Sequence, residues 1–309
     1  MTYLSYYRAK QNELLALVEK ADLISQKNII PILEPVNLTY KPIAKACKKL
    51  NDKDCNFIII ANSTVGKCYI ESPDHVNHIK EIASKNTENK IGLLIDPSKF
   101  EIKKLLDFIA VYQEFNLVAI HPKPNKKDKF FDLKRDYPSI SKNFSHDIFL
   151  SENSYSTQIN KNKSIIKNGF ISRNNSEYQE EEPFSDLHLK YNLDNFSRFG
   201  DFNIVGDSYS EGGGPAYAVA IHITYISPID NSIRIIHAKS SSNYDRNNPE
   251  IKYNEARMEL IRIINSKKYN ITLTSGLNKI IDDDAYHGLG MLKRFCMEHH
   301  LELIGKHII

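Results

Sequence analysis

Short apolar runs, each closed by a polar side chain, recur through the first half of the chain. They cover residues 29–34, 57–62, 91–96 and 117–121, with 146–152 as a weaker fifth. The closing residues are Glu34, Asn62, Asp96, His121 and Glu152, so the steps between them are 28, 34, 25 and 31 residues. A parallel crossover needs a strand, a helix and two loops, and steps of this size hold one βα unit. The runs are nearly all apolar rather than alternating, as expected of a parallel sheet covered on both faces.

Helical periodicity fills the gaps. Residues 10–20 (KQNELLALVEK) place Leu14, Leu15, Leu17 and Val18 on one face. Residues 42–50 form a helix with a lysine-rich outer face, and 74–84 form another, with Pro73 and Asp74 at its start. A third runs over 99–114 and buries Phe100, Leu105, Ile109 and Tyr112. The stretch 121–142 has seven basic residues against three aspartates and reads as a helix or a basic loop. The polar runs 160–168 and 177–186 read as solvated surface.

The last third has another character. A short strand at 202–205 leads into the loop 207–215 (DSYSEGGGP), and two β-rich runs at 216–226 and 233–239 form an antiparallel hairpin. A helix over 248–266, a last strand at 271–274 and a closing helix over 289–303 follow. The expected fold class is α/β: a TIM-like (β/α) barrel, whether regular, incomplete or distorted being left open, with a β-hairpin at about 216–240, all within one domain of 309 residues.

Composition narrows the function classes. An apolar fraction of 41% with 26% charged residues is that of a soluble globular protein. The 41 basic and 38 acidic residues are too balanced for bulk electrostatics to imply nucleic acid, so any such binding needs a local patch. The four cysteines form no C-x-x-C pair and no zinc spacing, which points to free thiols in a reducing cytoplasm. No apolar segment follows Arg8 and Lys10 as in a signal peptide, and no run reaches a membrane span, so no membrane association is expected.

The strand ends are where parallel α/β folds place chemistry. Glu34, Asn62, Asp96 and His121 would share one mouth, where carboxylates serve as acid and base or join the imidazole around a divalent metal. Taken singly, Asp96 before Pro97-Ser98 also suits a helix cap. A second set, Asp201, Asp207, Tyr209 and Glu211, flanks the GGG loop, which reads equally as a lid or a surface loop. A third is His287-Gly288-Leu289-Gly290, where free N–H groups at a helix start could cradle phosphate. Lys10 and Glu13 lie one helical turn apart.

Several stretches resemble one family. The opening Tyr-Tyr-Arg-Ala-Lys-Gln-Asn-Glu-Leu-Leu-Ala-Leu (6–17), Ile-Ile-Pro-Ile-Leu-Glu-Pro-Val (29–36) and Phe-Asn-Ile-Val-Gly-Asp (202–207) are similar to bacterial proteins related to the satellite-phage beta protein. His-Gly-Leu-Gly (287–290) and His-His-Leu-Glu-Leu-Ile (299–304) fit the same pattern. The resemblance implies a barrel-like α/β fold in gene neighbourhoods tied to phage defence, often beside a nuclease gene, with no agreed reaction. It adds weight to Lys10, Glu13, Glu34 and Asp207. The expectation is therefore a phage-defence component with a polar mouth at Glu34, Asn62, Asp96, His121 and Asp207. It would act by phosphoester or nucleic-acid hydrolysis or by sensing a phosphate-bearing ligand, with Lys10, Glu13, Tyr209, Glu211, Gly288 and Gly290 assisting. The alternative is a non-catalytic partner that regulates a neighbouring nuclease.

Overall fold

The computed structural model describes residues 1–123, 137–138, 140–152, 156, 162–211, 214 and 216–309. Eight parallel strands close into a barrel: β1 (Tyr3–Tyr7), β2 (Ile29–Leu33), β3 (Ile58–Ile60), β4 (Lys90–Leu94), β5 (Leu117–His121), β6 (His146–Phe149), β7 (Lys163–Lys167) and β9 (Arg198–Asp201). Between the last two lies β8 (Glu181–Ser185), which leaves the barrel and joins the antiparallel pair β10 (Ala220–Ile226) and β11 (Ile233–Lys239). Followed once around the barrel, the strand pairings return to β1 eight residues displaced, the stagger of a TIM barrel.

That stagger sorts the inward side chains into layers from alternate strands. Leu4, Ile58, Val118 and Ser164 form one; Ile32, Gly92, Ile148 and Gly200 the next; Tyr6, Ile60, Ile120 and Ile166 the third. Most of these form one apolar cluster, separate from the larger one between the strands and the helices. Gly92 makes room for its neighbours, because a Cβ there would lie 2.7 Å from the Ile120 Cδ1 and 3.1 Å from Ile58, and those side chains would have to shift. The floor layer holds Lys90, His146 and Arg198, and burial followed by the Arg198 and Lys90 charges pushes His146 down to about 3.

The helices follow the predicted order. They are α1 (Gln11–Glu19), α2 (Ala21–Gln26), α3 (Lys41–Asn51), α4 (Pro73–Ser84) and α5 (Ile102–Val111), then the short α6 (Leu187–Lys190), α7 (Pro249–Asn265), α8 (Ser275–Asp282) and α9 (Leu289–His307). Ser72 caps α4 by accepting from the His75 N–H at 3.2 Å. The α9 helix lies between barrel and accessory sheet and is buried almost all round from Cys296 to Gly305. Its His300 reaches Thr224 of β10 at 2.8 Å and Asp201 of β9 at 3.3 Å, where the Tyr3 hydroxyl of β1 also donates at 2.6 Å.

Five sequence expectations are corrected. A first strand, β1, precedes the helix at 10–20. The polar run 160–168 contains β7, whose Lys163 to Ile166 are buried. The acidic run 177–186 contains β8, with Phe184 buried and Glu181 and Glu182 paired to Arg234 and Arg173. The strand at 202–205 is a turn of 3-10 helix after β9. Residues 271–274 are not a strand, because the Thr274 hydroxyl caps α8 by accepting from the Leu277 N–H at 3.1 Å. The expected helix or loop at 121–142 falls largely outside the described residues. Among those described, no helix is long and apolar enough to cross a membrane, and all four cysteines are free thiols.

One tie fixes α8 to α9 and to the junction of α1 and α2, and it carries a pH prediction. The Glu302 carboxylate accepts from the Ser275 N–H at 2.9 Å, its hydroxyl at 2.7 Å and the Gly276 N–H at 3.1 Å, and lies 2.7 Å from the Lys20 ammonium. Burial alone would raise this carboxyl, but those donors and the Lys20 charge bring it down to about 2. A carboxyl lowered by folding stabilises fully above its unfolded value near 4.5 and loses that stabilisation as pH falls through about 2. Glu302→Gln is therefore expected to cost on the order of 2 kcal/mol at pH 6, shrinking toward zero by pH 2. Urea unfolding of both chains along that pH series reads the gap; one that does not narrow would overturn the assignment.

Candidate functional site

Polar groups enter the barrel interior at its top. Glu34, Leu94, Leu150 and Phe202 form the last full layer, and above it point Arg8 from β1, Asn62 from β3 and Asn168 from β7. Glu34 is completely buried, which a carboxylate tolerates only with strong donors around it. It has three. The Tyr6 hydroxyl donates to Oε2 at 2.6 Å, the Ser63 hydroxyl donates to Oε1 at 2.8 Å, and the Arg8 guanidinium pairs with Oε2. Burial pushes the Tyr6 hydroxyl up to about 12, against the opposing Arg8 charge, so it stays a donor.

Arg8 also faces the loop beyond β9. Its second amino group donates to the Asp207 carbonyl at 2.7 Å, while Asn168 holds the Asp207 carboxylate at 2.8 Å. Two residues on, the Lys10 ammonium donates to the Ser210 carbonyl and lies 5.0 Å from the Tyr209 ring centre. Lys67 meets Glu211 at 3.3 Å. Between Arg8 and Lys10 stands Ala9 with φ of +50°, a left-handed conformation that costs a non-glycine residue about 1–2 kcal/mol. That turn sends neighbouring cations to successive points of the same loop. Strain of this kind collects at functional positions. The Arg8 Nε–H is buried and has no partner among the described residues.

The remaining candidates separate. Asn62 faces inward, yet its amide copies a strand: it donates to the Leu94 carbonyl at 2.9 Å and accepts from the Leu94 N–H at 2.7 Å. Asp96 binds the Ser98 N–H at 3.0 Å and hydroxyl at 2.6 Å. It shapes the turn before α5, and Glu101 rather than Asp96 occupies the cap position. His121 points outward, because Val118 and Ile120 are the inward residues of β5. There it stacks on Phe149 at 4.5 Å and meets Asp147 at 2.7 Å, with Tyr137 on the same carboxylate oxygen.

Glu13 accepts from the Lys10 N–H at 3.4 Å and closes the first turn of α1; burial, against that bond and the Lys10 charge, raises its carboxyl. Gly288 takes φ of +91° before α9, and a Cβ at Gly290 would stand 2.3 Å from the Asn12 amide. These glycines let α9 start against α1. Asp207 is thus tied to Glu34 through Arg8, and Lys10, Tyr209 and Glu211 make their contacts along the same loop, whereas Asn62, Asp96 and His121 serve the backbone or the outer layer. Among the described residues no three His, Cys, Asp or Glu side chains converge as metal ligands.

Sequence reading missed Arg8, Tyr6, Ser63 and Asn168. The signal for the first was present: Arg8 closes an apolar run 26 residues before Glu34, within the rhythm of the other strand ends. Neither the known family models nor the curated proteins include a match to this chain.

Proposed function

We propose that the mouth recognises a phosphate-bearing ligand, gripped by Arg8 and Lys10 in competition with the loop at 207–211. The observation that carries this reading is the buried Nε–H of Arg8, partnerless among the described residues, on a guanidinium whose two amino groups already donate to Glu34 and to the Asp207 carbonyl. Orphaned buried donors are rare, and a guanidinium fork matches phosphate oxygens two at a time. Lys10 and Lys67 add charge along the same rim, and the loop contacts they now make are to a carbonyl and to an exposed carboxylate, both readily exchanged. The biological setting proposed, on the resemblance of residues 6–17, 29–36 and 202–207, is phage defence.

Inorganic pyrophosphate and ATP are the probes, read by calorimetry and by the shift in melting temperature. Arg8→Gln is expected to weaken binding at least tenfold, one charged contact being worth about 1.4 kcal/mol or more. Glu34→Gln releases Arg8 from its carboxylate and should bind pyrophosphate as tightly as the parent chain or more so. A hydrolase using Glu34 as its base would instead lose turnover in that variant. In plating assays with the intact operon, Arg8→Gln should abolish protection, and Glu34→Gln and Asp207→Asn should keep it. No response to either probe at millimolar concentration would overturn the reading.

A further inference from the structure

On the flank of the barrel, α1 and α3 part to leave a groove of about 740 Å³. Its walls are apolar: Leu15 and Val18 come from α1, Ile43 and Ala46 from α3, and Leu38 from the loop before α3. Leu15 is 38% and Leu38 51% exposed, and both line the groove. Along the α3 wall stand Lys41, Lys45 and Lys49, four residues apart, and Lys67 closes the upper rim. Among the described residues no acidic one lines the groove. Lys48, on another face of α3, pairs with Asp52 at 2.7 Å, whereas Lys41, Lys45 and Lys49 make no ion pair among the described residues.

We propose that this groove seats an acidic amphipathic helix of a protein partner. Spacing selects the occupant. Three lysines at successive turns put positive charge about every 6 Å along roughly 12 Å of wall, given a rise of 1.5 Å per residue. An amphiphile with one anionic head needs cations at one end only. A helix with carboxylates at i, i+4 and i+8 repeats the lysine spacing and carries leucine-like anchors on the adjoining stripe, the usual way a helix fills an apolar groove. The upper end of the groove is built from Ala9 and Pro35, the residues next to Arg8 and Glu34. A seated helix therefore touches the two loops that set the mouth, though the groove argument stands without the phosphate reading.

The test is selection of displayed 14-residue helical peptides on the intact protein, with the triple variant K41E/K45E/K49E as the counter-target. All three lysines are exposed, so the variant should keep its melting temperature. Recovered peptides are expected to be enriched in Asp or Glu at four-residue spacing beside apolar anchors. They should lose at least tenfold in affinity on the variant, and charge-reversed Lys peptides should regain binding to it. Peptides with no acidic enrichment, or with equal affinity for both proteins, would overturn the proposal. So would saturable binding of monomeric dodecyl phosphate with no peptide recovered, which would make the groove a small-amphiphile site.

Discussion

Arg8→Met is expected to lower the unfolding free energy by about 3–5 kcal/mol, the usual effect of stripping one partner from a buried ion pair. Glu34 is fully buried, and without Arg8 it keeps, among the described residues, only the neutral Tyr6 and Ser63 hydroxyls. The loss comes from the carboxylate left behind, not from the methionine, which retains much of the arginine's apolar contact with Tyr6. Combining Arg8→Met with Glu34→Gln should therefore return most of the lost stability. The coupling in that double-mutant cycle isolates the pair. Urea unfolding of the four chains gives the numbers. An Arg8→Met chain within about 1 kcal/mol of the parent would mean that water, rather than Arg8, satisfies Glu34.

Gly200→Ala should be costly for a different reason. Gly200 of β9 pairs with Leu4 of β1 across the seam that closes the barrel. An added Cβ would stand 1.9 Å from the Leu4 carbonyl oxygen and 2.8 Å from its Cβ. The obstacle is backbone, so no side-chain rotation relieves it and the two strands must part. Overpacking usually costs about 1–3 kcal/mol, and a clash with a strand backbone belongs at the upper end or beyond, at about 3 kcal/mol. Gly214→Ala is the control, because no described residue lies within 4 Å of its Cβ position, and it should stay within about 0.5 kcal/mol. Equal midpoints for the two variants would show that the seam yields more easily than its geometry indicates.

The parts of this fold readable in the sequence are those where burial alone dictates residue type. Strands β2 to β5 lie between the barrel interior and a helix layer, so both faces are apolar and the runs stand out. The hairpin β10–β11 was legible for a similar reason. Strand β1 was masked by Tyr3, Tyr6 and Tyr7, whose hydroxyls are buried with partners that the sequence does not reveal. Strand β7 carries Lys163, buried with its ammonium on the Ser156 carbonyl, so a lysine at a buried position looked like surface. Strand β8 misled because its glutamates meet arginines distant in the chain.

The site divides along the same line. Glu34 could be placed at the mouth from its strand end, whereas Asp207 was reached through the Gly-rich loop and the family resemblance. What joins them is Arg8, and its role depends on the parity of β1 and on a left-handed turn at Ala9. His121 was assigned inward when alternation puts it outward, and a single-residue shift in strand parity is enough to make that difference.

The seam between β1 and β9 also sets a schedule. Strand β2 pairs with β1 soon after the ribosome has made it, but the other edge of β1 must wait for β9, about 195 residues further on. At the usual pace of synthesis, about 5–20 residues per second, that interval is roughly 10–40 s. Through it, five residues with fully buried destinations present an open, tyrosine-rich edge to whatever else the cell contains. The junction that Gly200 alone can close is thus the one exposed longest while the chain is being made.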